Sequence, residues 1–344
     1  MKRMKTTEAV GQVLCHDITQ IIPGVTKDAV FRKGHIIREE DIPVLLSVGK
    51  DSVYIWENDE TMMHENDAAE VLYRMTANEH MHPSDVKEGK IEAIADTEGL
   101  LKVDREKLKK VNAFGEMMIA TRHGNTVVKK GDKLAGTRII PLVIKKDKMQ
   151  KAEKICDGTP ILKILPFTVK KAAIITTGNE VYHGRIKDAF TPVIEQKIAE
   201  FGAEMMFHEI FDDNDRKITD GCLRAIEAGA DIVFCTGGMS VDPDDKTPLA
   251  IKNTGAEMIS YGSPVLPGAM FLLSYYRKGD KVIPICGLPG CAMYNRRTIF
   301  DLVLPRLMAA DPVTADELAS LGEGGLCLNC KVCTFPNCGF GKGW

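Results

Sequence analysis

Two stretches decide the fold: residues 172–180, AAIITTGNE, and residues 231–245, DIVFCTGGMSVDPDD. Each begins as a short run of apolar and β-branched residues, reaches a glycine and then turns polar, as a buried strand does where it enters a loop. Helical patterns alternate with these and other strand patterns as far as residue 309. The alternation predicts an α/β domain with a mostly parallel sheet and helices on both faces.

The other elements of this region follow from the same patterns. Strands are predicted at 205–210, 270–276 and 281–286, and helices at 191–201, 213–228, 247–253 and 292–309. Thr191 is the predicted N-cap of the first helix, and Pro192 is its first helical residue.

The rest of the chain forms one region before this α/β domain and a tail after it. A length of 344 residues allows about two domains. Residues 1–165 have short apolar runs separated by turns, which predicts a β-rich accessory region of one or two subdomains. They include one amphipathic helix at 59–79, with Ala68, Ala69 and Leu72 on its apolar face. We therefore predict domains at 1–165 and 166–312 and a cysteine-rich tail at 313–344.

Composition excludes several classes of protein. The 45 Lys+Arg against 48 Asp+Glu give a net charge of −3, so no basic surface favours nucleic acid. With 44% hydrophobic and 27% charged residues, the chain is expected to be globular rather than disordered. No apolar run is long enough to span a bilayer, and no secretory signal is evident, so we expect a cytoplasmic protein that does not contact membranes.

Polar loops follow each predicted parallel strand. Ligands of open α/β sheets bind beyond the carboxyl ends of the strands, so these loops form a candidate site. Glycines let a ligand approach the backbone, and carboxylates suit a hard cation such as Mg²⁺. Asp, Gly and Pro are also ordinary turn residues, so each loop taken alone is compatible with a plain turn. The candidates for ligand binding are Thr177, Gly178, Asn179, Gly237, Gly238, Ser240, Pro289 and Gly290, and those for catalysis or Mg²⁺ binding are Glu180, Asp212, Asp242 and Asp245.

Four motifs in this order resemble the molybdopterin-binding domain of MoeA, MogA and gephyrin-like proteins. They are 177–180 (TGNE), 237–245 (GGMSVDPDD), 267–270 (PGAM) and 288–292 (LPGCA). The resemblance covers about residues 170–310 and implies a three-layer α/β sandwich. It also adds Pro267 and Gly268 to the binding candidates.

The resemblance implies a ligand and a reaction. The ligand would be molybdopterin or adenylyl-molybdopterin, with its terminal phosphate in the glycine loops. The MoeA branch implies Mg²⁺-assisted insertion of molybdate, with release of AMP, as in a molybdopterin molybdenumtransferase. Family members are often dimers or trimers, so the resemblance also implies a homo-oligomer.

Four positions depart from the family pattern. Asn179 replaces an Asp, Asp242 a Gly, Ala269 a Lys and Cys291 an Asn. The lost carboxylate and the lost cation favour ligand binding over full insertase chemistry. Three hypotheses therefore stay open: an insertase, a non-catalytic carrier that passes the cofactor to a molybdoenzyme, and an iron–sulfur redox or sensor protein on the same fold.

The tail has its own motif, Cys327-x2-Cys330-x2-Cys333-x4-Cys338. Four thiolates so spaced can surround a [4Fe–4S] cluster or one Zn²⁺ ion. The first three match the C-x2-C-x2-C run of bacterial ferredoxins, which favours iron–sulfur, while zinc would serve as a structural staple. A disulfide pair or a redox thiol cluster is the further alternative.

Overall fold

A computed structural model describes residues 2–22, 24–55 and 59–343. The chain forms two compact units. The first contains residues 1–96, 103–122 and 130–163, and the second contains 97–102, 123–129 and 164–344. No helix among the described residues is long and apolar enough to cross a lipid bilayer.

Short strands dominate the chain before residue 166. They are β1 (Lys2–Lys5), β2 (Ile18–Ile22), β3 (Thr26–Phe31), β4 (Ser52–Ile55), β5 (Met62–His64), β6 (Met81–Pro83), β7 (Lys90–Ala95), β8 (Gly99–Val103), β9 (Met117–Thr121), β10 (Thr126–Val128), β11 (Lys133–Ile139), β12 (Val143–Lys145) and β13 (Leu162–Leu165). The helices are α1 (Ile42–Ser47), α2 (Glu65–Thr76), α3 (Arg105–Asn112) and α4 (Lys146–Cys156). The expected β-rich character is therefore confirmed.

These strands form several small sheets. The largest has the order β6-β7-β11-β9, and the others are β10-β8-β13 and the pairs β1-β4, β2-β3 and β5-β12. Helix α2 buries Ala68, Ala69 and Leu72, as its amphipathic pattern predicts. The helix occupies only part of the predicted span, because residues 62–64 pair with β12 as a strand.

The second unit contains one large sheet with helices on both sides. Its strands are β14 (Lys171–Thr177), β15 (Glu204–Phe211), β16 (Ile232–Thr236), β17 (Glu257–Tyr261), β18 (Leu272–Lys278) and β19 (Lys281–Leu288). Its helices are α5 (Asn179–Tyr182), α6 (Phe190–Ala199), α7 (Asp215–Glu227), α8 (Thr247–Asn253), α9 (Ile299–Met308) and α10 (Ala315–Ser320). The strand order is β15-β14-β16-β19-β18-β17.

Alternate residues of the central strand show the three layers. Ile174 of β14 belongs to the core that includes Ile194 of α6 and Phe300 of α9. Its neighbour Ile175 faces the opposite way and packs with Ile218 of α7. Successive side chains of a strand point to opposite faces, so an apolar strand with helices on both sides is the expected result. The predicted α/β sandwich is confirmed.

Three details differ from expectation. Asp188, not Thr191, caps α6: its Oδ1 accepts the backbone N–H groups of Phe190 and Thr191 at 2.8 and 3.1 Å. The last long helix begins at Ile299, because Thr298 and Asp301 form a capping box there. The edge strand β17 is absent from the predicted strands; its residues are exposed or half-buried, and it pairs antiparallel with β18.

The segment after α9 packs onto the same core. Val313, Leu318 and Phe340 are buried in the cluster that includes α9, and Leu326 bridges Leu266 in a parallel pair. The predicted boundaries at residues 165 and 313 remain predictions.

Candidate functional site

The strand register brings the predicted loops to one edge of the sheet. Strands β14, β15, β16 and β19 are parallel, and their last residues lie opposite one another: Thr177 pairs with Phe211, and Thr236 with Leu288. The antiparallel strand β18 starts at this same edge, since its Leu272 pairs with Gly287. The loops at 178–180, 212–214, 237–245, 262–271 and 289–293 therefore all leave the sheet along one side, which we call the loop edge.

Thr177 connects β14 to the glycine loop at 237–238. Its Oγ1 donates to the Thr236 carbonyl at 3.1 Å and lies 3.1 Å from Thr247 Oγ1. Thr247 Oγ1 in turn donates to the Gly237 carbonyl at 2.9 Å. A Cβ on Gly237 would lie 2.2 Å from the Thr177 carbonyl oxygen, and one on Gly238 would lie 2.8 Å from Thr247 Oγ1. The loop therefore requires glycine at both positions, and Thr247 is a residue that sequence reasoning missed.

The turn after β14 is tied to the loop after β15. Gly178 N–H donates to the Phe211 carbonyl at 3.2 Å, and Asn179 N–H donates to Asp213 Oδ2 at 3.1 Å. Gly178 has φ 133°, a backbone angle that residues with a side chain rarely adopt. Asp213 thus places a carboxylate beside position 179. Sequence reasoning noted Asp213 in its loop but did not select it.

Carboxylates crowd this part of the loop edge. Burial raises the pKa of Asp213, and the neighbouring charges of Glu180, Asp245 and Asp244 raise it further. Asp212 Oδ2 binds Lys217 Nζ at 2.8 Å, while its Oδ1 is buried with no hydrogen-bond partner among the described residues. A bound cation would offset the repulsion between these carboxylates and would also give the buried Asp212 Oδ1 a partner. No three His, Cys, Asp or Glu side chains in the described part of the chain are gathered as a ready metal cage.

The middle of the loop at 237–245 is exposed, and the loop is held at its ends. Ser240 and Asp242 are exposed, and Asp245 N–H donates to the Asp242 carbonyl at 3.0 Å. Tyr261 Oη donates to the Met239 carbonyl at 3.0 Å, which joins the loop to β17. Tyr261 could not be selected from sequence, because β17 itself was not predicted.

The two proline–glycine turns differ in role. Gly268 packs so tightly that a Cβ would lie 2.4 Å from Ile299, and Ile299 N–H donates to the Pro267 carbonyl at 3.1 Å. Pro289 is buried, and Gly290 is exposed with open space around it. Gly290 begins a 3-10 turn, Gly290–Met293, rather than the predicted long helix. The predicted helix at 292–309 therefore begins later than expected, at Ile299.

A second polar cluster lies beside β14. His208 Nε2 is 3.2 Å from both Thr176 Oγ1 and Thr191 Oγ1 and 3.5 Å from Asp188 Oδ2. Burial opposes ionisation of Asp188, but hydrogen bonds from Thr191, Phe190 and Thr176 hold its pKa below the ordinary value. The cluster fixes the start of α6.

The four tail cysteines line one cavity. It has a volume of about 580 Å³, and its wall also includes Arg297 and Phe335. The sulfurs are not gathered as a ready metal cage in the described structure.

Comparison with known proteins finds a family match within the second unit. Residues 173–309 match the family described as "Probable molybdopterin binding domain", and residues 3–57 match a "Domain of unknown function". The relative "Putative competence-damage inducible protein" of Bacillus cereus (strain B4264) is 30% identical over 129 residues, 38% of this chain and 30% of the relative. Its namesake in Bacillus subtilis (strain 168) is 32% identical over 85 residues, 25% of this chain and 20% of the relative. The chain thus spans less than a third of these curated relatives.

Solved structures are also similar. The tungsten cofactor synthesizing protein MoaB from Pyrococcus furiosus is 20% identical, with 41% of this chain and 89% of that chain covered and a TM-score of 0.33. A molybdenum cofactor biosynthesis protein from the same organism is 12% identical, with 90% of this chain and 62% of that chain covered and a TM-score of 0.25. The family match at 173–309 contains β14 to β19, whose ends form the loop edge. Residues 173–309 of this chain are therefore similar to the molybdopterin-binding domain family.

Proposed function

We propose that the loop edge binds molybdopterin or its adenylylated form and acts in assembly of the molybdenum cofactor. The observation that carries this proposal is the glycine loop at 237–238, which lies against Thr177 with no room for a side chain. Such a loop leaves backbone N–H groups free to approach a phosphate closely. The match to a molybdopterin-binding family over the same strands supports the pterin as the bearer of that phosphate.

The carboxylates beside the loop suit a Mg²⁺ ion. Asp212, Asp213, Glu180 and Asp245 supply oxygen donors, and Asp212 Oδ1 lacks any other partner among the described residues. When bound, Mg²⁺ would neutralise the phosphate and polarise the bond to the adenylyl group. Asp242, on the exposed part of the loop, is a further candidate for binding Mg²⁺ or for orienting an incoming oxyanion such as molybdate through that ion.

The insertase is favoured over the carrier by Asp213. The family's carboxylate is missing at Asn179, but Asp213 Oδ2 lies 3.1 Å from the Asn179 backbone nitrogen, beside the same turn. The cation missing at Ala269 has a weaker substitute, because Lys246 Nζ donates to the Pro243 carbonyl within the glycine loop. A carrier that delivers the cofactor to a molybdoenzyme needs neither group, so Asp213 is the residue that separates the two functions.

The test is AMP release from adenylyl-molybdopterin with Mg²⁺ and molybdate. Wild-type protein should release AMP, and Asp213→Asn should retain ligand binding but lose most turnover. Asp220→Asn, an exposed residue of α7, is the matched control and should leave turnover unchanged. Binding without AMP release in the wild type would contradict the insertase and support the carrier. No binding would contradict both.

A further inference from the structure

The cysteine-rich tail is fixed at both of its ends. Cys327 N–H donates to the Leu266 carbonyl at 2.8 Å, and Gly341 N–H donates to the Gly324 carbonyl at 2.9 Å. Cys327 and Cys338 pack against the core that includes α9. Cys327 and Cys338 are therefore held in place by the core at one wall of the cavity.

The other two cysteines, Cys330 and Cys333, lie on the loop at residues 328–334. Cys330 and Cys333 are exposed, and both line the cavity of about 580 Å³ together with Cys327 and Cys338. Arg296 Nη1 donates to the Lys331 carbonyl at 3.3 Å and holds the loop by its middle. The four cysteines therefore line a single cavity.

A partly buried cation, Arg297, faces the same space. The Arg297 guanidinium lies 4.9 Å from the Phe335 ring centre, and its Nη1 donates to Asp301 Oδ1 at 2.8 Å. Its Nε is buried and has no acceptor within the described part of the chain. A buried donor without a partner is costly, so it indicates an acceptor that belongs in this cavity.

We propose that this cavity holds a [4Fe–4S] cluster, ligated by Cys327, Cys330, Cys333 and Cys338, with Arg297 as the donor that offsets its charge. Ligation releases four thiol protons to solvent. The cluster with four thiolates then carries a charge of −2, and uptake of one electron from an external reductant makes it −3. Arg297 favours the reduced state because it lies beside the added negative charge.

Two observations favour the cluster over a single zinc ion. The cavity of about 580 Å³ has room for a four-iron cluster, and its wall includes the apolar side chains of Leu326, Phe335 and Phe340. The C-x2-C-x2-C run is also that of cluster-binding ferredoxins. Zinc remains the alternative that the experiment must separate.

The experiment loads the full chain anaerobically with Fe²⁺ and sulfide in one arm and with Zn²⁺ in the other. We expect four iron and four sulfide per chain, with an absorption band at roughly 400 nm that dithionite bleaches. Cys330→Ser should lose the band, and Cys291→Ser, a half-buried cysteine outside the tail, should keep it. One zinc per chain with no iron uptake, or no metal in either arm, would overturn the proposal. Because no pterin is present, the result is independent of the loop edge.

The role of Arg297 is tested by the reduction potential. Arg297→Gln should shift the potential to a more negative value, and Arg297→Lys, which keeps the charge, should shift it less. Arg277→Gln, an exposed arginine of β18, is the control and should leave the potential unchanged. Equal potentials in the Gln variant and the wild type would overturn the assignment of Arg297.

Discussion

At the scale of single residues, Gly237 is the most constrained position of the loop edge. It combines φ 81° with the closest contact that any Cβ there would make, 2.2 Å to a backbone oxygen. Gly237→Ala should therefore destabilise the second unit by about 1–2 kcal/mol for the backbone conformation and about 1–3 kcal/mol more for the contact. Urea unfolding followed by circular dichroism measures the difference.

Gly229 provides the control for the backbone conformation alone. It has φ 101°, and a Cβ added there would meet nothing within 4 Å. Gly229→Ala should therefore destabilise the second unit only by the backbone contribution of about 1–2 kcal/mol. Equal losses in the two variants would show that the contact with Thr177 does not constrain the loop.

Two aspartates near the loop edge should respond to pH in opposite directions. Burial and like charges raise the pKa of Asp213, so its ionised form destabilises the fold at neutral pH, and this cost disappears as pH falls through the raised pKa. Asp213→Asn should therefore raise the melting temperature at pH 7, with a gain that shrinks on acidification.

Asp188 is the opposite case. Hydrogen bonds from Thr191 and Phe190 lower its pKa despite its burial, so its ionised form stabilises the fold above the ordinary pKa, and this contribution is lost as pH falls through the lowered one. Asp188→Asn should lower the melting temperature at pH 7, by an amount that shrinks at acid pH. Melting curves from pH 7 to 3 would contradict the Asp188 assignment if both variants were stabilised, and the Asp213 assignment if both were destabilised.

At the scale of elements, the start of α9 depends on Asp301. Its side chain is 4% exposed and binds Lys197 Nζ at 2.5 Å and Arg297 Nη1 at 2.8 Å. Asp301→Ala would leave two cations without their partner and remove a capping box, so we expect a loss of about 3–5 kcal/mol in the free energy of unfolding.

The exposed pair of Glu227 and Lys278 is the control for Asp301. Its atoms are 2.9 Å apart, but both side chains are well exposed, so Glu227→Ala should cost less than about 1 kcal/mol. A loss at Asp301 no greater than at Glu227 would show that the buried network does not hold α9.

Sequence patterns predict the elements whose buried positions follow their own hydrophobic pattern. The apolar strands β14 and β16 and the helix α8 follow from local pattern, because each is buried in the way that its residues indicate. Strand β17 is short and has no buried residue, and it is held by its pairing with β18, which the local sequence does not show. The site divides likewise: Gly237 and Gly238 are visible as a motif, whereas Thr247 and Tyr261 join it only through tertiary contacts.

At the scale of the whole molecule, the tail forms part of the core of the second unit. Phe340 is 6% exposed and packs in the cluster that includes α9, so Phe340→Ala should cost about 3–5 kcal/mol. Leu328, 77% exposed on the cysteine loop, is the control, and Leu328→Ala should change stability by less than about 0.5 kcal/mol. Urea unfolding distinguishes this arrangement from a tail that unfolds independently, in which case Phe340→Ala would leave the main transition unchanged.

The most direct measurement is equilibrium binding of molybdopterin to the full chain under anaerobic conditions, compared between wild type and Gly290→Val. Gly290 is exposed on the loop edge with open space around it, so the valine should leave the melting temperature unchanged while it obstructs the ligand. We predict saturable binding by the wild type and by Gln196→Val, a control on the exposed face of α6, and at least tenfold weaker binding by Gly290→Val. No binding by the wild type, or equal binding by all three proteins, would contradict a pterin site at the loop edge.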